Sequence, residues 1–240
     1  MAGYLEFTKW ALGYAGCDGG DIGRKESPSI WVCGIEWGGG HDPDGLRKHM
    51  QEDVQKPPKG YLSWQDNLAY IFNWQVMKLL VATKGLPVAN YKHFAQEERP
   101  FVDGSVGYFK MNIYPIAFRN TSHQHWLNDF ADITGFSSKQ EYLTWCNEMR
   151  LPQIGKWTKL HLPKMVICLG KTFRNEFGSA FLIPDNTWVT ETIDEKELSW
   201  AINQHGTLVC VLPFMVNRNG LVRNASIQKF GTRIKQIMNK

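Results

Sequence analysis

Ile30-Trp31-Val32-Cys33-Gly34-Ile35, followed at once by Glu36-Trp37-Gly38-Gly39-Gly40, is the stretch on which the fold turns. Its first part follows Pro28, is too short for a helix, and lacks the alternation of a half-exposed strand. It therefore predicts a strand buried on both faces, as in parallel sheets. Three similar apolar runs follow: Tyr108 to Ile113, Met165 to Gly170, and Thr207 to Leu212. Helical patterns lie around them. One runs from Tyr4 to Tyr14; a second opens at Ser63 with Asp66 three residues on and shows Trp64, Leu68, Ile71, Phe72 and Leu79 on one face before Gly85-Leu86-Pro87 stops it. Others cover Ser138 to Arg150, Lys171 to Phe177, and the end of the chain from Ala225, where Ile227, Phe230, Ile234 and Ile237 make an apolar stripe. Strands alternating with helices predict the α/β class: a single domain over 1–240, three-layer α/β/α, around a central, mostly parallel four-stranded sheet.

The composition fits such a domain. With 240 residues, 43% hydrophobic and 21% charged, the chain is not a disordered tail, a collagen or a coiled coil. Its longest uncharged apolar run, Leu208 to Val216, contains Pro213 and is far below the roughly 20 residues that span a bilayer, so no membrane segment is expected. Glu6 and Lys9 interrupt the apolar start, which argues against a secretory signal and for a cytoplasmic protein. Five cysteines with no C-x-x-C pair speak against a disulfide framework or a compact zinc or iron–sulfur site. His41, His49, His123 and His125 do not make a metal set, and Gly38-Gly39-Gly40 is not followed by the G-K-[ST] of a P-loop. No metal or cofactor is therefore expected. A net charge of +4 is a mild bias towards polyanions, and 10 Trp, 13 Phe and 8 Tyr supply flat rings, most of them for the core.

In open parallel sheets the chemistry gathers beyond the carboxyl ends of the strands. Those ends are Gly34-Ile35-Glu36-Trp37-Gly38, Asn112-Ile113-Tyr114-Pro115, Leu169-Gly170-Lys171-Thr172 and Leu212-Pro213-Phe214. Glu36 offers a carboxylate which, with a reference pKa of about 4.3, is ionised at neutral pH, or alternatively a helix cap or a partner for Arg47 or Lys48. Asn112 offers one acceptor and two donors, suited to a base edge or to the turn before Tyr114-Pro115. Phe214-Met215-Val216-Asn217-Arg218-Asn219-Gly220-Leu221-Val222-Arg223 mixes apolar residues with two arginines.

Taken in order, these segments resemble the uracil-DNA glycosylase superfamily, whose first motif takes forms such as G-x-N-P-G, G-E-x-P-G or G-Q-D-P-Y. Gly34-Ile35-Glu36-Trp37-Gly38 overlays the five-residue form and puts Glu36 at the catalytic Asn or Asp position. Phe109 to Pro115 is similar to the segment that carries the base-reading Asn, here Asn112. Pro163 to Gly170 is similar to the proline-led third strand, and Val209 to Phe214 aligns with the strand that enters the His-Pro-Ser motif. The resemblance runs over about residues 28 to 235. Trp37 stands where proline is usual, and Leu212 and Phe214 replace His and Ser.

The resemblance implies a monofunctional, metal-independent DNA N-glycosylase, expected to be a monomer. It would flip a base out of DNA and hydrolyse the N-glycosidic bond, leaving an abasic site, in base excision or in defence against modified phage DNA. Glu36 would be catalytic; Gly34, Ile35, Trp37, Gly38, Asn112 and Tyr114 would surround the base. Arg119, Phe214, Met215, Arg218 and Arg223 would contact DNA, the apolar pair as a wedge that opens the duplex. With the histidine replaced, the leaving base would depend on Asn112, on backbone N–H groups, or on Arg119, Arg218 or Arg223. Gly38 in place of the motif tyrosine leaves room for an enlarged or modified base. Two other readings stay open: a non-catalytic DNA-binding or inhibitory protein on the same fold, and a hydrolase of small nucleosides.

Overall fold

Alternate side chains along each apolar run go to opposite sides of one sheet, which is why these runs have no polar face. The computed structural model describes residues 2–118, 126 and 128–239. Within them the strands are β1 (Gly19–Gly20), β2 (Ile30–Gly34), β3 (Tyr108–Asn112), β4 (Met165–Leu169), β5 (Val189–Ile193), β6 (Lys196–Ile202) and β7 (Leu208–Leu212). They form a mixed sheet of seven strands in the order β1-β3-β2-β4-β7-β6-β5. The four expected strands are its parallel centre, with Gly34 paired to Asn112, Cys33 to Cys168 and Leu169 to Leu212.

The expectation of a four-stranded sheet is thus corrected. Strand β1 adds an antiparallel edge on β3, and the β5–β6 hairpin adds two antiparallel strands beyond β7. The hairpin turns on Asp194 and Glu195, both at positive φ, the geometry of tight hairpin turns in which glycine or asparagine is usual.

The helices are α1 (Ala2–Leu12), α2 (Pro43–His49), α3 (Trp64–Leu68), α4 (Ile71–Thr83), α5 (Tyr91–Glu98), α6 (Asn128–Thr134), α7 (Lys139–Trp145), α8 (Leu151–His161), α9 (Arg174–Phe181) and α10 (Asn224–Met238). Two apolar cores flank the sheet. Trp31, Cys33, Phe109, Met111, Val166 and Val209 pack with α1 and α6 to α9. Ile30, Val32, Tyr108, Ile167 and Cys210 pack with α4, α5 and α10 on the other side. Ser63 caps α3 by accepting the Asp66 N–H, but the expected long helix breaks at Tyr70, which is extended, and α4 starts afresh.

Helix α7 does not end at Arg150. It passes through a π turn, Cys146–Arg150, into α8. The turn aims the fully buried Arg150 at the far end of α1. Its Nε donates to the Ile113 carbonyl at 3.0 Å, Nη1 to the carbonyls of Ala11 and Gly13, and Nη2 to that of Ala15 at 2.5 Å. Among the described residues the guanidinium has no carboxylate partner. Carbonyl dipoles, including those at the negative end of α1, balance its charge instead.

Candidate active site

The registered ends of β2 and β3 put Gly34 beside Asn112, and that pair organises the site. Asn112 is buried, and its Nδ2 donates to the Gly16 carbonyl at 3.0 Å, while its backbone N–H donates to the same oxygen at 3.1 Å. A flipped amide would set oxygen against oxygen, so the acceptor Oδ1 faces the other way, over Gly34. A Cβ at Gly34 would overlap Oδ1, so glycine there is a condition for this placement. Gly16 has φ +76 and lies against Pro115, where a side chain would crowd the backbone. Asn112 therefore presents a fixed acceptor and one remaining N–H.

Just past β2 stands Glu36, half-buried at the wall of a cavity of about 520 Å³ that Asn112, Gly34, Trp37 and Phe214 also line. Burial pushes its carboxyl up to about 7, against the weaker opposing pull of the Lys139 ammonium. Desolvation thus moves the titration of Glu36 from the ordinary carboxylate range towards neutrality. Lys139 is itself buried, with its ammonium 3.7 Å from the centre of the Phe118 ring.

Trp37 closes the adjacent wall. Its Nε1 donates to Asp18 Oδ2 at 3.2 Å, and its ring meets His49 edge to face at 5.6 Å. His41 Nδ1 accepts the Ala117 N–H, so His41 Nε2 carries the proton and donates to His49 Nδ1 at 2.6 Å. Burial first, and then the adjoining His49 imidazole, push His41 down to about 4, which keeps it neutral. The two rings buttress Trp37. Beyond it, a side chain at Gly38 would meet no atom within 4 Å, so the space expected there is open.

The deeper part of the cavity holds a group that motif spacing did not suggest. Lys110 sits on β3 two positions before Asn112, with which it shares a strand face. Its Nζ donates to Asp18 Oδ1 at 2.9 Å and to the Tyr61 hydroxyl at 3.1 Å. Tyr61 donates in turn to Asp18 Oδ1 at 2.9 Å and accepts from Asn73 Nδ2 at 2.9 Å. The Asp18 carboxylate and the Tyr61 oxygen outweigh burial and hold the Lys110 ammonium above its ordinary range. A lysine inside an apolar strand run was the one available signal for this cluster.

Other expected residues fall in different places. Tyr114 is buried against Tyr142 and Phe173, its hydroxyl donates to Asn147 Oδ1 at 3.3 Å, and it does not line the cavity. Its assignment to the base pocket is corrected: the chain turns at Ile113-Tyr114, whose amides bond Gly34 and Ile35, and sends the ring into the core. Ile35 packs onto Gly170 rather than into the cavity.

Met215 is wholly buried in the second core, so it cannot be a wedge. Phe214 and Val216 form the cavity wall at the root of their loop, Phe214 lying 5.5 Å from the Phe72 ring. The exposed tip is polar, Asn217 to Asn219, with Arg218 on it and Arg223 exposed at the start of α10. Exposed apolar groups at the cavity mouth come instead from the break between α3 and α4, where Tyr70 is 60% and Ile71 54% exposed. Arg119, with His123 and His125, lies outside the described residues. Among the described residues no group of His, Cys, Asp and Glu could hold a metal ion, and no helix is long and apolar enough to cross a membrane.

No protein-family model matches the chain, and no curated protein matches it.

Proposed function

We propose that the protein is a DNA glycosylase that hydrolyses the N-glycosidic bond of a flipped, enlarged or modified base. The observation that carries this reading is the joint presence, in one cavity at adjacent strand ends, of Glu36 and of Asn112 with its acceptor fixed over Gly34. Cleavage builds positive charge on the deoxyribose and negative charge on the departing base. Glu36 as carboxylate stabilises the first and orients or deprotonates the attacking water. The fixed Oδ1 of Asn112 accepts a hydrogen from the base edge. Its remaining N–H meets the charge of the departing base, a task the motif histidine would otherwise perform. Tyr70 and Ile71 at the mouth offer the stacking and apolar surface that replaces a neighbour lost from the helix.

Incubating the protein with oligonucleotides that carry different modified bases, then probing for abasic sites, tests the reading. Strand breakage by alkali at the modified position is the expected result. Tight DNA binding without any abasic product would instead select the non-catalytic protein. Cleavage of free nucleosides alone would select the small-molecule hydrolase.

Two further outcomes are expected. Gly34→Ala should displace Asn112 and lower kcat/KM by about 10²-fold, since a misplacement of about 1 Å has that effect on a reacting geometry. A Gly34→Ala enzyme with unaltered kcat/KM would separate Asn112 from the reaction. Arg218→Ala and Arg223→Ala should weaken binding to all DNA sequences alike and lower the slope of log affinity against log salt by about one for each lost phosphate contact. Salt titrations that superimpose on the parent's would remove these arginines from the interface.

A further inference from the structure

The cluster below Trp37 is closed on itself except at a few atoms, and those atoms have a definite chemistry. The Tyr61 hydroxyl is fully used, donating to Asp18 and accepting from Lys110 and Asn73. Three capacities remain. Lys110 has three N–H groups and makes two hydrogen bonds. Among the described residues Asp18 Oδ2 accepts only from Trp37. Asn73 is 1% exposed, its Nδ2 is taken by Tyr61 and the Asn67 carbonyl, and its Oδ1 is buried without a partner among the described residues. All three residues line the cavity that Glu36 and Asn112 line.

Charge and valence together select the ligand. Asp18 and Lys110 cancel, so the cluster carries no net charge to attract an ion. A phosphate or carboxylate would face Asp18, and an ammonium would face Lys110. An alkyl group would leave the third Lys110 N–H and Asp18 Oδ2 dehydrated beside an Asn73 Oδ1 that is buried already, which is costly. A neutral group that both donates and accepts satisfies donor and acceptors alike. The cavity, at about 520 Å³, lies in the range of about 300–1,000 Å³ that accommodates drug-sized ligands. It therefore has room for such a group in addition to a pyrimidine ring.

We infer that Asp18, Tyr61, Asn73 and Lys110 form a reader for a hydroxyl-bearing substituent on the excised base, so that the substrate is a hydroxyalkyl or sugar-like modified pyrimidine. This rests on the glycosylase reading above and adds the substrate class to it. A site built to bond a hydroxyl rejects the analogue that lacks one, because its own polar groups are then stranded.

The test compares two isosteric substituents in otherwise identical duplexes: 5-hydroxymethyl and 5-ethyl pyrimidine. The parent protein should release the hydroxymethyl base at a kcat/KM about 10²-fold or more above the ethyl base. In Tyr61→Phe and Asn73→Leu, each checked for unaltered thermal unfolding, that ratio should fall by about tenfold or more. Of the two, Tyr61→Phe keeps the shape and removes only the hub oxygen, so it answers even if Asn73→Leu fails to fold. Abasic sites formed from both bases at equal rates, or a ratio unmoved in a folded Tyr61→Phe protein, would overturn the inference and leave the glycosylase reading standing. No abasic product from any duplex, including uracil-containing DNA, would overturn both.

Discussion

Glu36→Gln is expected to lower glycosidic cleavage by about 10²- to 10⁴-fold while DNA affinity stays close to the parent's. The amide keeps the shape and loses the charge that faces the sugar cation. The same substitution should stabilise the fold, and the sign follows from the direction of the shift. Burial raises the folded carboxyl from its ordinary 4.5 to about 7. Below pH 4.5 both states hold the proton and the contribution is complete. As pH rises towards 7 the unfolded chain ionises first, and stability is lost until the folded group has ionised as well. Glutamine imitates the protonated form, so its advantage should be absent at acid pH, grow from about pH 4.5, and level off above about 7, at on the order of 1–3 kcal/mol. In the parent enzyme kcat/KM should climb up to about tenfold per pH unit below about 7 and then flatten. A flat profile between about pH 5.5 and 8, or a Gln variant with parental turnover, would take the catalytic role from Glu36.

Arg150→Met should destabilise the protein by several kcal/mol, since each buried carbonyl left without its donor costs about 1–3 kcal/mol. The methionine fills much of the space but strands carbonyls of Ala11, Gly13, Ala15 and Ile113 in the interior. The damage would reach the site, because Ala15 precedes Gly16, which holds Asn112, and Ile113 follows Asn112 directly. Arg150→Lys should recover little: an ammonium has three donors and no planar fork for acceptors on two sides. Urea unfolding at neutral pH measures both. A loss below about 1 kcal/mol in the Met variant would mean that the carbonyls find other partners.

The central parallel strands were legible because each is a short apolar run between breakers, and burial on both faces erases alternation. The β5–β6 hairpin was not. Its turn is Asp194-Glu195, at positive φ without the glycine or asparagine that announces such turns. Strand β1 is only Gly19–Gly20, with no side chains to betray a pattern. The same contrast holds for the site. Glu36 and Asn112 stand at strand ends, where position alone raises suspicion, and the two line one cavity. Asp18, Tyr61 and Asn73 come from a glycine-rich loop, an isolated β-bridge and a helix, and Asp18 lies 92 residues from the Lys110 that it pairs with; only folding brings them together. The wedge expectation failed at Met215 because a loop's apolar residues serve its root as readily as its tip.

The π turn at Cys146–Arg150 also bears on how this chain can change length over descent. Closing a ring to the fifth residue rather than the fourth stores one residue more than a regular helical turn would. Losing any one residue there would let α7 flow into α8 without interruption, and local helix regularity alone would favour that. The wide turn winds through about the angle that a regular turn covers with one residue fewer, so α7 and α8 would keep their faces and Arg150 its direction. A lineage that inherits this arrangement can thus lose one residue between Trp145 and Leu151 with the flanking faces kept, and can vary in length in the exposed turn at Asn217 to Asn219 as well.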